Sequence, residues 1–224
     1  MNIQQLTGIS NDHTVKFCSE FAWCDTHLRV HKDIVKPLET LCLTAFRDGE
    51  KLALLSGYRS YQRQVDIWEM KNSGERAIFD DNDIALHNFI SDEDKFDKIA
   101  RWSALPGLSR HHWGTDLDIF SAAAIESGFE VQLTGKEFKQ YGPCETLNRW
   151  MQQNLGEFAF YLPYQKDTGG VAPEPWHISY QPQSSTFKTQ LSSHDLDKIW
   201  TENPWCGSEW ACKHSQLLFD KYSE

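Results

Sequence analysis

The sequence predicts an α+β fold, a small sheet with helices packed against it. Three observations carry that reading. Apolar residues recur every three to four positions across 31–48, and short apolar runs bounded by Gly or Pro stand at 52–55 and 176–180. No internal repeat, low-complexity tract or long linker divides the 224 residues, which suit one domain with a sizeable core.

Ile34, Leu38, Leu41 and Ala45 share one face of a helix over 31–48, closed by Asp48-Gly49. Leu52-Ala53-Leu54-Leu55, stopped by Ser56-Gly57, reads as a buried strand. Ser60 is placed to cap a helix through Gln64, Ile67 and Trp68 to about Asn72, with Gly74 after it. Residues 73–91 are polar, Asp-rich and aperiodic, and are expected to form an exposed loop. A helix over 92–103 follows, ended by Pro106-Gly107. Then come a strand at Leu117–Phe120, a helix at 143–155, and strands at Phe158–Leu162 and Trp176–Tyr180. Past Pro182 the chain turns polar and offers short helices near 193–201 and 206–222.

A formal charge of −10 disfavours nucleic acid or an anionic membrane as general partner, since either requires a basic footprint. No stretch approaches the ~18 consecutive apolar residues of a membrane span. Met1–Gly8 has no basic start and no apolar run, so no secretory signal is read there. The expected location is cytoplasmic, or periplasmic if a leader has been removed. Nine Trp suit an aromatic core or a groove for flat ligands equally well. The six cysteines show no C-x-x-C spacing and read as reduced thiols. A second metal site joining Cys18, Cys24, Cys206 and Cys212 to His27, His31 and His214 is the less favoured alternative.

Three segments carry chemistry: Ser56–Gln64 (SGYRSYQRQ), Ser109–Asp118 (SRHHWGTDLD) and Glu174–Tyr180 (EPWHISY). A catalytic zinc site uses three protein ligands and leaves a fourth position open. His111, Asp118 and His177 can supply that set. Gly114 permits a tight turn between His111 and the strand bearing Asp118. Glu174, three residues before His177, stands where a general base is needed. Each segment alone is a weak signal, and the three in order are far more specific.

Together the motifs S-G-Y-R-S-x-x-x-Q, S-x-H-x-x-G-x-x-x-D and E-x-W-H-x-x-Y resemble the zinc D-alanyl-D-alanine carboxypeptidases, the VanY-like peptidases of family M15. The resemblance runs from about Ser56 to Tyr180. It implies a hedgehog/DD-peptidase-like fold with a mainly antiparallel sheet. It also implies one Zn2+ on His111, Asp118 and His177, with Glu174 as general base and then acid. By the same resemblance Arg59 contacts the substrate or the developing oxyanion, and Gln64 and Ser109 line the substrate pocket. Tyr58 and Trp176 are expected to pack the site. S-x-H spacing selects His111 over His112, and the remaining histidines at 13, 27, 31, 87, 194 and 214 are expected on the surface. Asp116 departs from many members of the family. It shares the face of Asp118, and reads equally as a partner orienting a ligand or as a solvated strand-edge carboxylate.

The expected organisation is an N-terminal extension over 1–30, a catalytic domain over 31–182 and a C-terminal helical appendage over 183–224. The expected partner is a peptidoglycan stem peptide or muropeptide. DD-carboxypeptidase, LD-carboxypeptidase and D-Ala-D-Ala dipeptidase compete for the same site. An inactive zinc-containing binding module is a further alternative, disfavoured by an intact Glu174. Absence of G-x-S-x-G and H-E-x-x-H strings argues against a serine hydrolase and a zincin.

Overall fold

The computed structural model describes residues 1–82 and 84–223. Asp83, in the stretch read as a loop at 73–91, and Glu224 lie outside the described residues. The first predicted helix starts as a 3-10 turn, Lys32–Ile34, and continues as an α-helix over Val35–Arg47. Leu38, Leu41, Cys42 and Ala45 are fully buried, so the three-to-four spacing is indeed the packed face. Each leucine so buried contributes about 1.5–3 kcal/mol.

Leu52–Ser56 belongs to a five-stranded sheet ordered Trp23–Cys24, Leu52–Ser56, Asp116–Ser121, His177–Tyr180, Phe160–Tyr161. Its first pair is parallel and the other three are antiparallel, giving the mainly antiparallel sheet expected. Asp116–Ser121 is buried along its whole length, which explains why its sequence shows no clean polar/apolar alternation. Residues 1–30 supply the Trp23–Cys24 edge strand, and Phe17, Ala22, Leu28 and Val30 enter the main core. The core lies between this sheet and the helices Val35–Arg47 and Glu145–Asn154.

A second apolar cluster joins the helices Tyr61–Ser73 and Asp92–Trp102 to the C-terminal segment. There the Trp68 ring meets Trp205 edge-on at 4.8 Å. Tyr61 donates its hydroxyl to Asn203 O, Trp68 Nε1 donates to Cys206 O, and Trp200 Nε1 donates to Pro106 O. Thus the surplus tryptophans of the tail brace the helix that follows Arg59.

Several elements differ from the sequence reading. Two short strands, Ile78–Phe79 and Ala85–Leu86, pair within the expected loop. The strand expected at 158–162 shrinks to Phe160–Tyr161, because Leu155–Phe158 is a 3-10 turn and Ala159 takes φ +59°. The polar stretch past Pro182 is helical at its start. Pro182 sits in the first turn of a helix, Gln181–Lys188, where its missing N–H is not needed. The helix expected over 206–222 breaks at His214 into Ser208–Lys213 and Ser215–Tyr222. His13 and His31, expected on the surface, are buried. Their rings lie tilted against each other at 5.7 Å, with Tyr58 edge-on to His13 and Phe187 tilted against His31. No helix among the described residues is long and apolar enough to cross a membrane.

Candidate active site

Strand register builds the site. Asp118 pairs with His177 on one side and with Ser56 on the other, so three side chains form a row across the sheet. Asp116, two residues earlier, pairs with Ser179 on the same face. His111 arrives from the 3-10 turn Arg110–Trp113, which Gly114 closes at φ +70°. A side chain there would meet His31 N at 2.7 Å, so glycine is required for both conformation and space. This turn is stitched to the Gly57-Tyr58-Arg59 segment. Arg59 N donates to His111 O (3.1 Å), His111 Nδ1 donates to Gly57 O (2.8 Å), and His112 Nδ1 donates to Arg59 O (2.7 Å).

The result is a convergence of His111, Asp118 and His177, all buried, whose donor atoms lie within 4.8 Å of one another. His111 Nε2 is 3.4 Å from Asp118 Oδ2, and His177 Nδ1 is 3.5 Å from Asp118 Oδ1. Each imidazole has its other nitrogen engaged: His111 Nδ1 by the Gly57 carbonyl, and His177 Nε2 by Asp116 Oδ1 at 2.9 Å. A donated Nδ1–H on His111 leaves its Nε2 as the ligating atom, and a donated Nε2–H on His177 leaves its Nδ1. Glu174 Oε2 lies 3.2 Å from His177 Nδ1, held by a turn in which His177 N donates to Glu174 O.

Electrostatics favour a cation here. Burial raises the Asp118 pKa, but His111, His177 and Arg59 outweigh it and hold the carboxyl at about 2. Burial opposes a charged His177, yet hydrogen bonds to Asp116 and Glu174 lift its pKa to about 9. Carboxylates that hold a proton on His177 also suit a divalent ion, and two imidazoles with one carboxylate are a zinc donor set. The residues therefore fit the metal that the motifs imply. At the termini, by contrast, the thiols are free, and the His/Cys/Asp/Glu group able to hold an ion among the described residues is this one.

Asp116 is not a solvated strand-edge carboxylate. It is fully buried, and accepts from Arg110 Nε (2.7 Å), His177 Nε2 (2.9 Å), Thr115 Oγ1 (2.7 Å) and Ser179 Oγ (3.1 Å). Despite burial, the Arg110 guanidinium and the His177 hydrogen bond hold its carboxyl far below the usual range. Arg59 reaches Asp118 (Nη2–Oδ2 3.5 Å), donating also to Ser56 Oγ and to Gln64 Oε1. Arg59, Ser109, His111, Asp118, Glu174 and His177 line one cavity of about 410 Å³. Gln64 does not reach it. Fully buried, its amide donates to Ala104 O at 2.6 Å while its carbonyl braces Arg59.

A family model described as D-alanyl-D-alanine carboxypeptidase, VanY, matches residues 27–183, a span that holds all three motif segments. The chain belongs to the VanY family. An uncharacterized Haemophilus influenzae protein is 34% identical over 120 residues, covering 53% of this chain and 92% of its own. The putative carboxypeptidase YodJ of Bacillus subtilis is 30% identical over 155 residues, covering 67% of this chain and 46% of YodJ. This chain therefore spans under half of that longer relative. The solved LdcB LD-carboxypeptidase superposes with a TM-score of 0.56 at 22% identity, covering 96% of this chain and 81% of LdcB. VanYB in complex with D-alanine-D-alanine superposes at 0.52 with 21% identity, covering 84% and 92%. The fold is the hedgehog-type peptidase fold that these structures share.

This VanY-family cavity also has walls that sequence reasoning missed. Lys71, Arg76, Trp102 and Tyr164 line it, and the Tyr164 ring meets His177 edge-on at 5.0 Å. Lys71 had a legible signal. Its spacing from Gln64, Ile67 and Trp68 puts a charge on the buried face of that helix. Trp102 and Tyr164 carried none, because the end of the helix Asp92–Trp102 and a turn after Phe160–Tyr161 bring them in from outside the motifs.

Proposed function

We propose that this chain is a zinc-dependent carboxypeptidase that removes the C-terminal D-residue of peptidoglycan stem peptides or muropeptides. The observation that carries the reading is the convergence of His111, Asp118 and His177 beside Glu174 at the wall of one cavity. When bound on the first three, Zn2+ supplies a Lewis acid that polarises a carbonyl and acidifies water. Glu174 accepts the proton of the attacking water and returns it to the leaving amine. Arg59 offers a fixed fork of donors to the developing oxyanion, and Gln64 and Ser56 hold that fork in place. Ser109 contacts the substrate from the cavity wall. The family description and the D-alanine-D-alanine bound to VanYB support a D-residue at the scissile end. An inactive binding module would have no use for a carboxylate held at the position of Glu174.

The test is to incubate the zinc-loaded protein with D-Ala-D-Ala and with tetra- and pentapeptide stems, identifying the released amino acid by mass. D-Ala from the pentapeptide is the expected product. Release from the tetrapeptide instead would make it an LD-carboxypeptidase, and cleavage of the free dipeptide a dipeptidase. Glu174→Ala is expected to abolish turnover with zinc retained, and His177→Ala to lose the metal. Near-normal activity in Glu174→Ala would overturn the mechanism.

A further inference from the structure

We propose that Lys71, with Arg76 beside it, forms an anion subsite in this cavity that pairs with a carboxylate of the peptide substrate. The inference rests on the carboxypeptidase reading. Lys71 is only 8% exposed, yet it lines the cavity together with Arg59, Arg76 and Trp102. Among the described residues its ammonium has no hydrogen-bond or ion-pair partner. A buried charge without a partner is costly, and the cost is relieved when a counter-ion arrives. An unpaired ammonium and a neighbouring guanidinium thus line one space, and an anionic acceptor there pairs with both.

Charge around Lys71 points the same way. Burial, and after it the like charge of Arg76, push its pKa down to about 8; Glu174 opposes this shift and Arg59 adds to it. At neutral pH the amine carries its proton beside two other cations, with Glu174 alone opposing them. In a peptide substrate the matching group is a carboxylate, either at the free C-terminus or on an acidic residue upstream.

The test measures affinity without turnover. In the zinc-loaded Glu174→Ala protein, calorimetry compares three pentapeptides ending in D-Ala-D-Ala with one upstream acidic residue. One is the free acid, one is amidated at the C-terminus, and one is amidated at the upstream side chain. Adding Lys71→Met is expected to weaken the free acid about 10- to 100-fold, whereas Lys71→Arg binds within a few-fold of the parent. For one of the two amides the Lys71→Met penalty is expected to vanish, which identifies the carboxylate. Thermal stability of Lys71→Met should equal or exceed the parent's, because an unpaired buried charge is removed. Unchanged affinity, or equal weakening of all three peptides, overturns the subsite. If the native chain releases no D-residue from the free-acid pentapeptide or from the corresponding tetrapeptide, the carboxypeptidase reading fails by itself, whatever Lys71 does to binding.

Discussion

Asp116→Ala removes the one carboxylate that serves both the fold and the candidate ligand His177. Alanine strands the Arg110 guanidinium, whose side chain is 4% exposed, opposite a strand position that is fully buried. Breaking one side of a buried pair costs about 3–5 kcal/mol. Arg110 keeps Ser179 Oγ at 2.7 Å and Tyr161 OH at 3.0 Å, so the lower end, about 3 kcal/mol, applies. For a chain of this size that corresponds to a fall in Tm of roughly 6–12 °C. The variant also frees His177 Nε2, and loss of such a partner lowers metal affinity by about 10- to 100-fold. Thermal melts in chelator isolate the first effect, and competition with a chromophoric chelator measures the second. The double variant Arg110→Met/Asp116→Ala is expected to recover part of the stability, because the uncompensated charge is then gone. A Tm within about 2 °C of the parent together with unchanged zinc affinity would refute the reasoning.

Gly114→Ala forces a Cβ to 2.7 Å from His31 N at φ +70°, so a loss of about 2 kcal/mol or more and weaker zinc binding through the displaced His111 turn are expected in the same two assays. Burial holds the His13 pKa at about 4 against an ordinary 6.5. A depressed histidine favours the fold while neutral, so its contribution is complete above pH 6.5 and is lost as the pH falls through 4. Over that window His13→Gln, which keeps a donor for His112 O, should lose roughly 3 kcal/mol less than the parent; identical pH profiles in urea melts would count against it. Exhaustive chelation is expected to abolish D-amino-acid release and lower Tm, with both restored by Zn2+, and activity that survives chelation would rule out a metallopeptidase.

The candidate site was largely legible because its chemistry sits in three compact motifs. Ser56–Gln64, Ser109–Asp118 and Glu174–Tyr180 each contain their own turn or strand, so spacing alone proposes which side chains share a face. Gln64 shows the limit of that logic. Its place in the motif suggested the pocket wall, but helix geometry turns it behind Arg59, where it acts on the arginine. Fold elements with strong local signals survived well, such as the Val35–Arg47 helix and its Gly49 stop. Elements whose stability comes from distant partners did not. Gln181–Lys188 reads in sequence only as the start of a polar stretch past Pro182, and Trp23–Cys24 is a strand only because Leu52–Ser56 lies beside it.

By itself, then, the sequence determined the donor types, their order and the turns that present them, because those depend on covalent spacing and local backbone preference. Tertiary structure decided what surrounds them. It buried Asp116 among Arg110, Thr115, His177 and Ser179, and sent His13 and His31 inward. It also left the Lys71 ammonium on the cavity wall without a partner. Those outcomes depend on contacts between residues far apart in the chain, and on the burial that gives each charge its energy.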